Sequence, residues 1–222
     1  MNGPTTVASL LGNGPLAPSL RVLLLLTLLS LLAPAVLTMT SFVRTVVVLS
    51  FLRQGLGVQQ TPPGQVLVGL ALFVTLFTMA PVFEAVQHDA YSPYERGELT
   101  EMQALDKASV PIRGFLLKQT RQNDLELFYM ATRTPLPSTP DDVPLKIAVP
   151  AFIISELTTS FQMGVLVLLP FLVVDIAVAT VLMAMGMMMV PPATISLPLK
   201  LMLFVLADGW NLIVGSIIAS FR

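Results

Sequence analysis

Cysteine is absent from the 222 residues and His88 is the sole histidine. No disulfide framework, thiol nucleophile or zinc cluster can be assembled from such a chain, and neither a metal nor a cofactor is expected. A serine, histidine and acid set would have to be built on His88, which falls in a polar loop, so catalysis is not expected either. Gly55-Leu56-Gly57 lacks the third glycine of a dinucleotide fingerprint and opens no βαβ unit, and no phosphate-binding lysine motif occurs. Charge is also scarce. Charged residues make up 11% of the chain, against about 25% in soluble domains. The formal net charge is −1, and no nucleic-acid partner is expected.

What the chain has in abundance is apolar sequence. With 55% hydrophobic residues and a positive mean hydropathy, it reads as an all-α, polytopic helical membrane protein. A crossing takes roughly 20 apolar residues. Val22 to Val43 carries no charge, and Pro34 is expected to kink it; Thr61 to Phe83 is also uncharged and becomes apolar from Val66. From Ile147 to Met189 only Glu156 and Asp175 are charged. That run is too long for one crossing and is expected to bend or divide at Pro150 or Pro170, leaving Phe161 to Met185 as the span. The last run, Leu197 to Phe221, contains Lys200 and Asp208. About four long apolar helices follow. The organisation expected is a flexible external N-terminus at 1–20, a first helical hairpin at 21–83, a soluble helical segment with a proline linker at 84–146, and C-terminal helices with a methionine-rich loop at 147–222.

In the soluble segment acidic residues outnumber basic ones. Thr100 with Gln103, and Asn123 with Glu126, have the spacing of helix N-caps. Ile112, Phe115 and Leu116 give one apolar face, while Pro135, Pro137, Pro140 and Pro144 stiffen the end of the segment. Arg44 and Arg53 flank the connection between the first two spans, and the positive-inside rule places that connection in the cytoplasm. The 84–146 segment then faces outward, as do both termini. Residues 1–20 lack the basic start and apolar core of a signal peptide. A signal is therefore expected to have been removed or to lie outside this sequence.

Charges inside apolar runs are costly in lipid, so they face a bundle interior, a partner or water. Glu156 and Lys200 have opposite signs and are expected to pair, within the chain or across a subunit interface; the alternative is that Lys200 snorkels to the headgroups. Asp175 lies mid-span, where a hydrogen bond to a neighbouring helix competes with a proton relay. Asp208 precedes Gly209-Trp210-Asn211, which could instead be an interfacial anchor. Met183, Met185, Met187, Met188 and Met189 crowd together just before Val190-Pro191-Pro192, where the helix is expected to stop. Thioether side chains re-pack around partners of differing shape, which suits a deformable seal. Ordinary packing in a membrane helix is the plainer alternative.

The segments Leu52 to Pro63, Pro150 to Leu157, Met185 to Met189 and Ile195 to Leu201 resemble, in order, those of the FliP family of the bacterial flagellar type III export gate. The virulence injectisome has a close counterpart, but Gln59-Gln60-Thr61-Pro62-Pro63 and Asp208-Gly209-Trp210-Asn211 read like the flagellar forms. The resemblance implies a homo-oligomer, expected to be a pentamer, that winds with FliQ and FliR into a cone-shaped complex in the inner membrane at the flagellar basal body. Unfolded export substrates pass through its centre, and energy comes from other subunits. It further implies that Met187, Met188 and Met189 form an inward gasket with Met183 and Met185 adjacent. Glu156 and Lys200 would take part in contacts between subunits, with Arg121 a further candidate, and the central loop would face the periplasm. The competing class is a proton or solute transporter with Asp175 and Asp208 as relay carboxylates; no internal repeat supports it.

Overall fold

The computed structural model describes residues 18–58, 61–135, 137, 139, 142–187 and 189–221. Every regular element among them is helical. The chain divides into two units, Met1–Thr38 and Met39–Arg222. In the first, helix α1 (Pro18–Thr38) is apolar around its circumference, with Leu23, Leu26, Leu29 and Leu31 all exposed. Its polar side chains satisfy themselves: the Thr27 hydroxyl donates to the Leu23 carbonyl at 2.8 Å and Ser30 to that of Thr27 at 2.9 Å. A helix that meets lipid must close its own hydrogen bonds in this way.

The second unit begins with α2 (Phe42–Leu56), α3 (Gly64–Val86), a π-helical turn (Gln87–Tyr91) and α4 (Ser92–Glu95). It continues through α5 (Glu101–Gln119), α6 (Gln122–Thr132), α7 (Leu145–Ala184), α8 (Pro192–Leu206) and α9 (Gly209–Ala219). Among the described residues two stretches, Gly64–Glu95 and Leu145–Ala184, are long and apolar enough to cross a membrane. Counting each of two interrupted pairs, Val22–Thr38 with Phe42–Leu56 and Pro192–Leu206 with Gly209–Ala219, as one span brings the number to four. The chain is an all-α polytopic membrane protein.

The connection expected between the first two spans is itself a helix, and the most deeply packed one. Thr45, Val48, Leu49, Leu52 and Leu56 recur at helical spacing and are buried, giving α2 one continuous inner face. It lies against α7 at two glycines. The Phe51 ring fills the place a Cβ on Gly164 would take, and Phe171 and Leu168 crowd the corresponding place at Gly55. Missing side chains let the two helices approach, the device by which apolar helices associate without a hydrophobic driving force. Around them Val48, Leu49, Leu52, Leu67, Ala71, Val74, Phe171, Phe204 and Ile217 form one core cluster. A second cluster, Leu116, Tyr129, Val143, Ile147, Ala148 and Phe152, joins α5 and α6 to the start of α7.

The long apolar run does not divide. Its 40 helical residues span about 60 Å at roughly 1.5 Å each, and Pro150 and Pro170 both lie inside the helix. The first three turns of α7 supply Ile147, Ala148 and Phe152 to the second core cluster. The second core cluster and the long apolar stretch thus share one helix. In α5 the expected capping box forms: the Thr100 amide donates to Gln103 Oε1 at 2.9 Å and the Gln103 amide to Thr100 Oγ1 at 3.4 Å. The second expected cap does not. The next helix starts at Gln122 with Arg121 in the cap position, because Asp124 is used elsewhere, as described below. The final apolar run is also broken. Asp208 adopts a left-handed conformation (φ 49°, ψ 49°), and α8 and α9 meet there at 63°. The Phe204 ring occupies the space a Cβ on Gly209 would need, so only glycine fits immediately after the break.

Candidate functional site

The methionine cluster sits at the tip of the hairpin made by α7 and α8. A Schellman motif ends α7: the Gly186 amide donates to the Met183 carbonyl at 3.0 Å and the Met187 amide to that of Leu182 at 3.0 Å. Gly186 has φ +73°, a conformation that costs other L-residues about 1–2 kcal/mol. Helix termination is therefore the work of Gly186 and not, as the sequence suggested, of Pro191-Pro192, which instead open α8 as its cap and first residue. The loop holds its thioethers out: Met183, Met185 and Met187 are exposed, and Met189 is 98% exposed. Met188 lies outside the described residues. Beneath the tip a cavity of about 440 Å³ is lined only by apolar side chains, among them Val181, Leu182, Met185, Met187, Ile195 and Leu199.

Further along the hairpin, Lys200 Nζ donates to Asp175 Oδ2 at 2.6 Å. The two lie nearly equidistant from the loop on opposite legs, so the pair joins α7 to α8 two turns below the methionines. Here Asp175 finds its neighbouring-helix partner, but as an ion pair with a buried lysine, not as a neutral hydrogen bond.

The expected Glu156–Lys200 pair is not formed within the chain. With α7 starting at Leu145, Glu156 stands three turns inside the helix, wholly buried, and faces α2. Its partner is Arg44, which is 2% exposed and donates Nε to Oε2 at 2.9 Å and Nη2 to Oε1. The remaining guanidinium protons go to the Ser220 carbonyl and hydroxyl at 3.0 and 2.9 Å and to Gln119 Oε1 at 3.2 Å. The guanidinium also lies over the Phe221 ring, 3.8 Å from its centroid. One arginine thus fastens α2, α5, α7 and the end of α9 together, and both charges are fully compensated. Sequence reasoning used Arg44 only as a topological flank. The signal was present, since apolar residues surround it on both sides as they do Lys200. Buried in protein, Arg44 faces neither water phase and adds nothing to a positive-inside argument.

Arg121 anchors α6. Its Nε donates to Asp124 Oδ2 at 2.7 Å and Nη2 to Oδ1 at 3.0 Å, while Nη2 also reaches Thr158 Oγ1 at 3.0 Å. Ser155 of α7 donates to Asp124 at 2.6 Å and accepts from the Arg121 amide at 3.0 Å. Burial pushes the Asp124 carboxyl up, but the hydrogen bonds from Arg121 and Ser155 and the arginine charge outweigh it, so its pKa lies below the ordinary aspartate value. Asp208 remains exposed and accepts from Asn211 Nδ2 at 3.1 Å.

Comparison with known proteins bears on what such a chain is. A profile described as the FliP family matches residues 25–217. The chain belongs to the FliP family. It is 51% identical to the flagellar biosynthetic protein FliP of Pectobacterium carotovorum subsp. carotovorum, over 91% of this chain and 79% of that protein. Against FliP of Bacillus subtilis (strain 168) the identity is 49%, covering 91% of this chain and 92% of the relative. FliP of Aquifex aeolicus (strain VF5) is 44% identical over 95% and 89% of the two chains. The FliP match spans the Arg44–Glu156 hub, the Asp175–Lys200 pair and the methionine loop alike.

Proposed function

We propose that this chain is a pore-forming and gating subunit of the flagellar type III protein export apparatus, in which several copies assemble with FliQ-like and FliR-like partners. Unfolded flagellar proteins pass between the copies across the bacterial inner membrane. The central segment at 84–146 faces the periplasm, and Met187, Met188 and Met189 close the resting passage. The reading rests on FliP membership together with one observation: a thioether cluster held out from the end of the α7–α8 hairpin, with Met189 98% exposed. Large exposed apolar side chains mark contact surfaces. Thioethers in particular suit a surface that must close on many unrelated polypeptides without binding any one tightly.

The same geometry gives the loop a fixed place to act. α7 runs as one rod from the second core cluster to the tip, and the Asp175–Lys200 pair keeps α8 beside it. A proton relay through Asp175 finds less support, because its carboxylate is taken up by Lys200. Glu156 and Lys200 contribute within their own subunit, positioning the surfaces that neighbours meet.

The chain contains no cysteine, so a single Met189→Cys substitution tests convergence of the copies. In the assembled complex with both partners, a short thiol-reactive cross-linker is expected to join this chain to itself in dimers and higher multiples. A complex that assembles but yields only uncross-linked chain would overturn the gasket.

A further inference from the structure

A cavity of about 630 Å³ opens between α2 and the start of α3, lined by Val46, Ser50, Arg53, Gly57, Gly64 and Val68 among others. Its walls are apolar along Val46 and Val68 and polar at one end. At that end stands Arg53, which forms no ion pair or hydrogen bond with the described residues and whose Nη1 lies 3.7 Å from where a Cβ on Gly64 would be. The other nearby cation, Lys200, approaches Gly57 but is neutralised by Asp175. The free guanidinium lies beside the start of the helical stretch Gly64–Glu95, one of two among the described residues long and apolar enough to cross a membrane. The Gly64 and Gln65 amides of the first turn have no backbone acceptor, and no side chain caps the helix, so two more donors and the positive helix end face the same place.

We propose that this cavity holds one anionic phospholipid, with its phosphodiester between Arg53 and the first turn of α3 and an acyl chain along Val46 and Val68. A guanidinium matches the geometry of a phosphate, and basic pockets between membrane helices take anionic headgroups. The apolar wall favours a lipid over a free phosphate ion. The proposal is independent of the methionine loop and stands or falls without the export reading.

The test is native mass spectrometry of the full chain in its purified complex, delipidated and offered phosphatidylglycerol, phosphatidylcholine or inorganic phosphate. Phosphatidylglycerol is expected to bind with about fivefold preference over phosphatidylcholine, the advantage of one basic residue near an anionic headgroup. Arg53→Gln is expected to remove that preference and Arg53→Lys to keep most of it. Gly64→Asp is the second variant: it places a carboxylate beside the guanidinium at a helix N-terminus, where it favours the fold, and is expected to exclude the lipid. The proposal is overturned if both Arg53→Gln and Gly64→Asp bind phosphatidylglycerol as the parent does. It is equally overturned if the two lipids bind alike in the parent, or if millimolar phosphate displaces the lipid.

Discussion

At the scale of single residues, the molecule depends on how its few charges are compensated. Removing one partner of a buried ion pair leaves an unpaired charge and costs about 3–5 kcal/mol, whereas replacing both by apolar groups of similar volume is often neutral. Arg44→Met and Glu156→Gln are therefore each expected to lower the thermal midpoint of the purified protein sharply. The double change Arg44→Met with Glu156→Leu should recover at least half of the loss; a double variant as unstable as the worse single one would contradict the compensation. Asp175→Asn is expected to destabilise too, because it strips the counter-charge from Lys200, and Lys200→Gln should relieve it. A relay role would instead leave stability unchanged and abolish only gradient-dependent export. Which charges were buried was legible from their apolar surroundings for Glu156 and Lys200, while Asp175 proves only half-buried. Their pairing was not, since it depends on which helices touch, and Arg44 was missed because the helix carrying it was read as a connection.

At the scale of elements, local signals were reliable where short-range chemistry decides and failed where packing does. The Thr100 capping box needs only its own residues and forms as read. Asn123 loses its cap role because Arg121, Asp124 and Ser155 make a tighter set. That set gives α6 a definite response to acid. The Asp124 pKa is lowered on folding, so its contribution is complete above the ordinary aspartate value of about 3.9 and is lost as pH falls through the lower folded value. Hydrogen exchange along Gln122–Thr132 is expected to accelerate as the pH drops below that value, and Asp124→Asn should exchange fast at neutral pH. Equal protection in the two proteins at pH 7 would contradict the assignment. The turn at Gly186 gives a second check: Gly186→Ala should cost about 1–2 kcal/mol and loosen the methionine loop, read as faster proteolysis between Met183 and Val190. The proline pair was misread because proline's ban on helix interiors was weighed above its preference for the first turn.

For the whole molecule, the sequence revealed the class and the family but not the architecture of the long helix. Pro150 and Pro170 argued for a bend or a break, yet α7 stays one continuous helix, its first turns held by the second core cluster and its middle by the close glycine contacts with α2. In the assembly proposed above, a single helix linking the second core cluster to the methionine tip is what would let neighbouring copies present their loops at one height. The most direct measurement is the resting ion conductance of the assembled complex in a planar bilayer, with Met187, Met188 and Met189 all changed to alanine. Truncation removes the contacts that fill the passage. The account predicts an intact assembly whose closed state leaks ions and small solutes, whereas conductance at the parental level in a correctly assembled complex would contradict it.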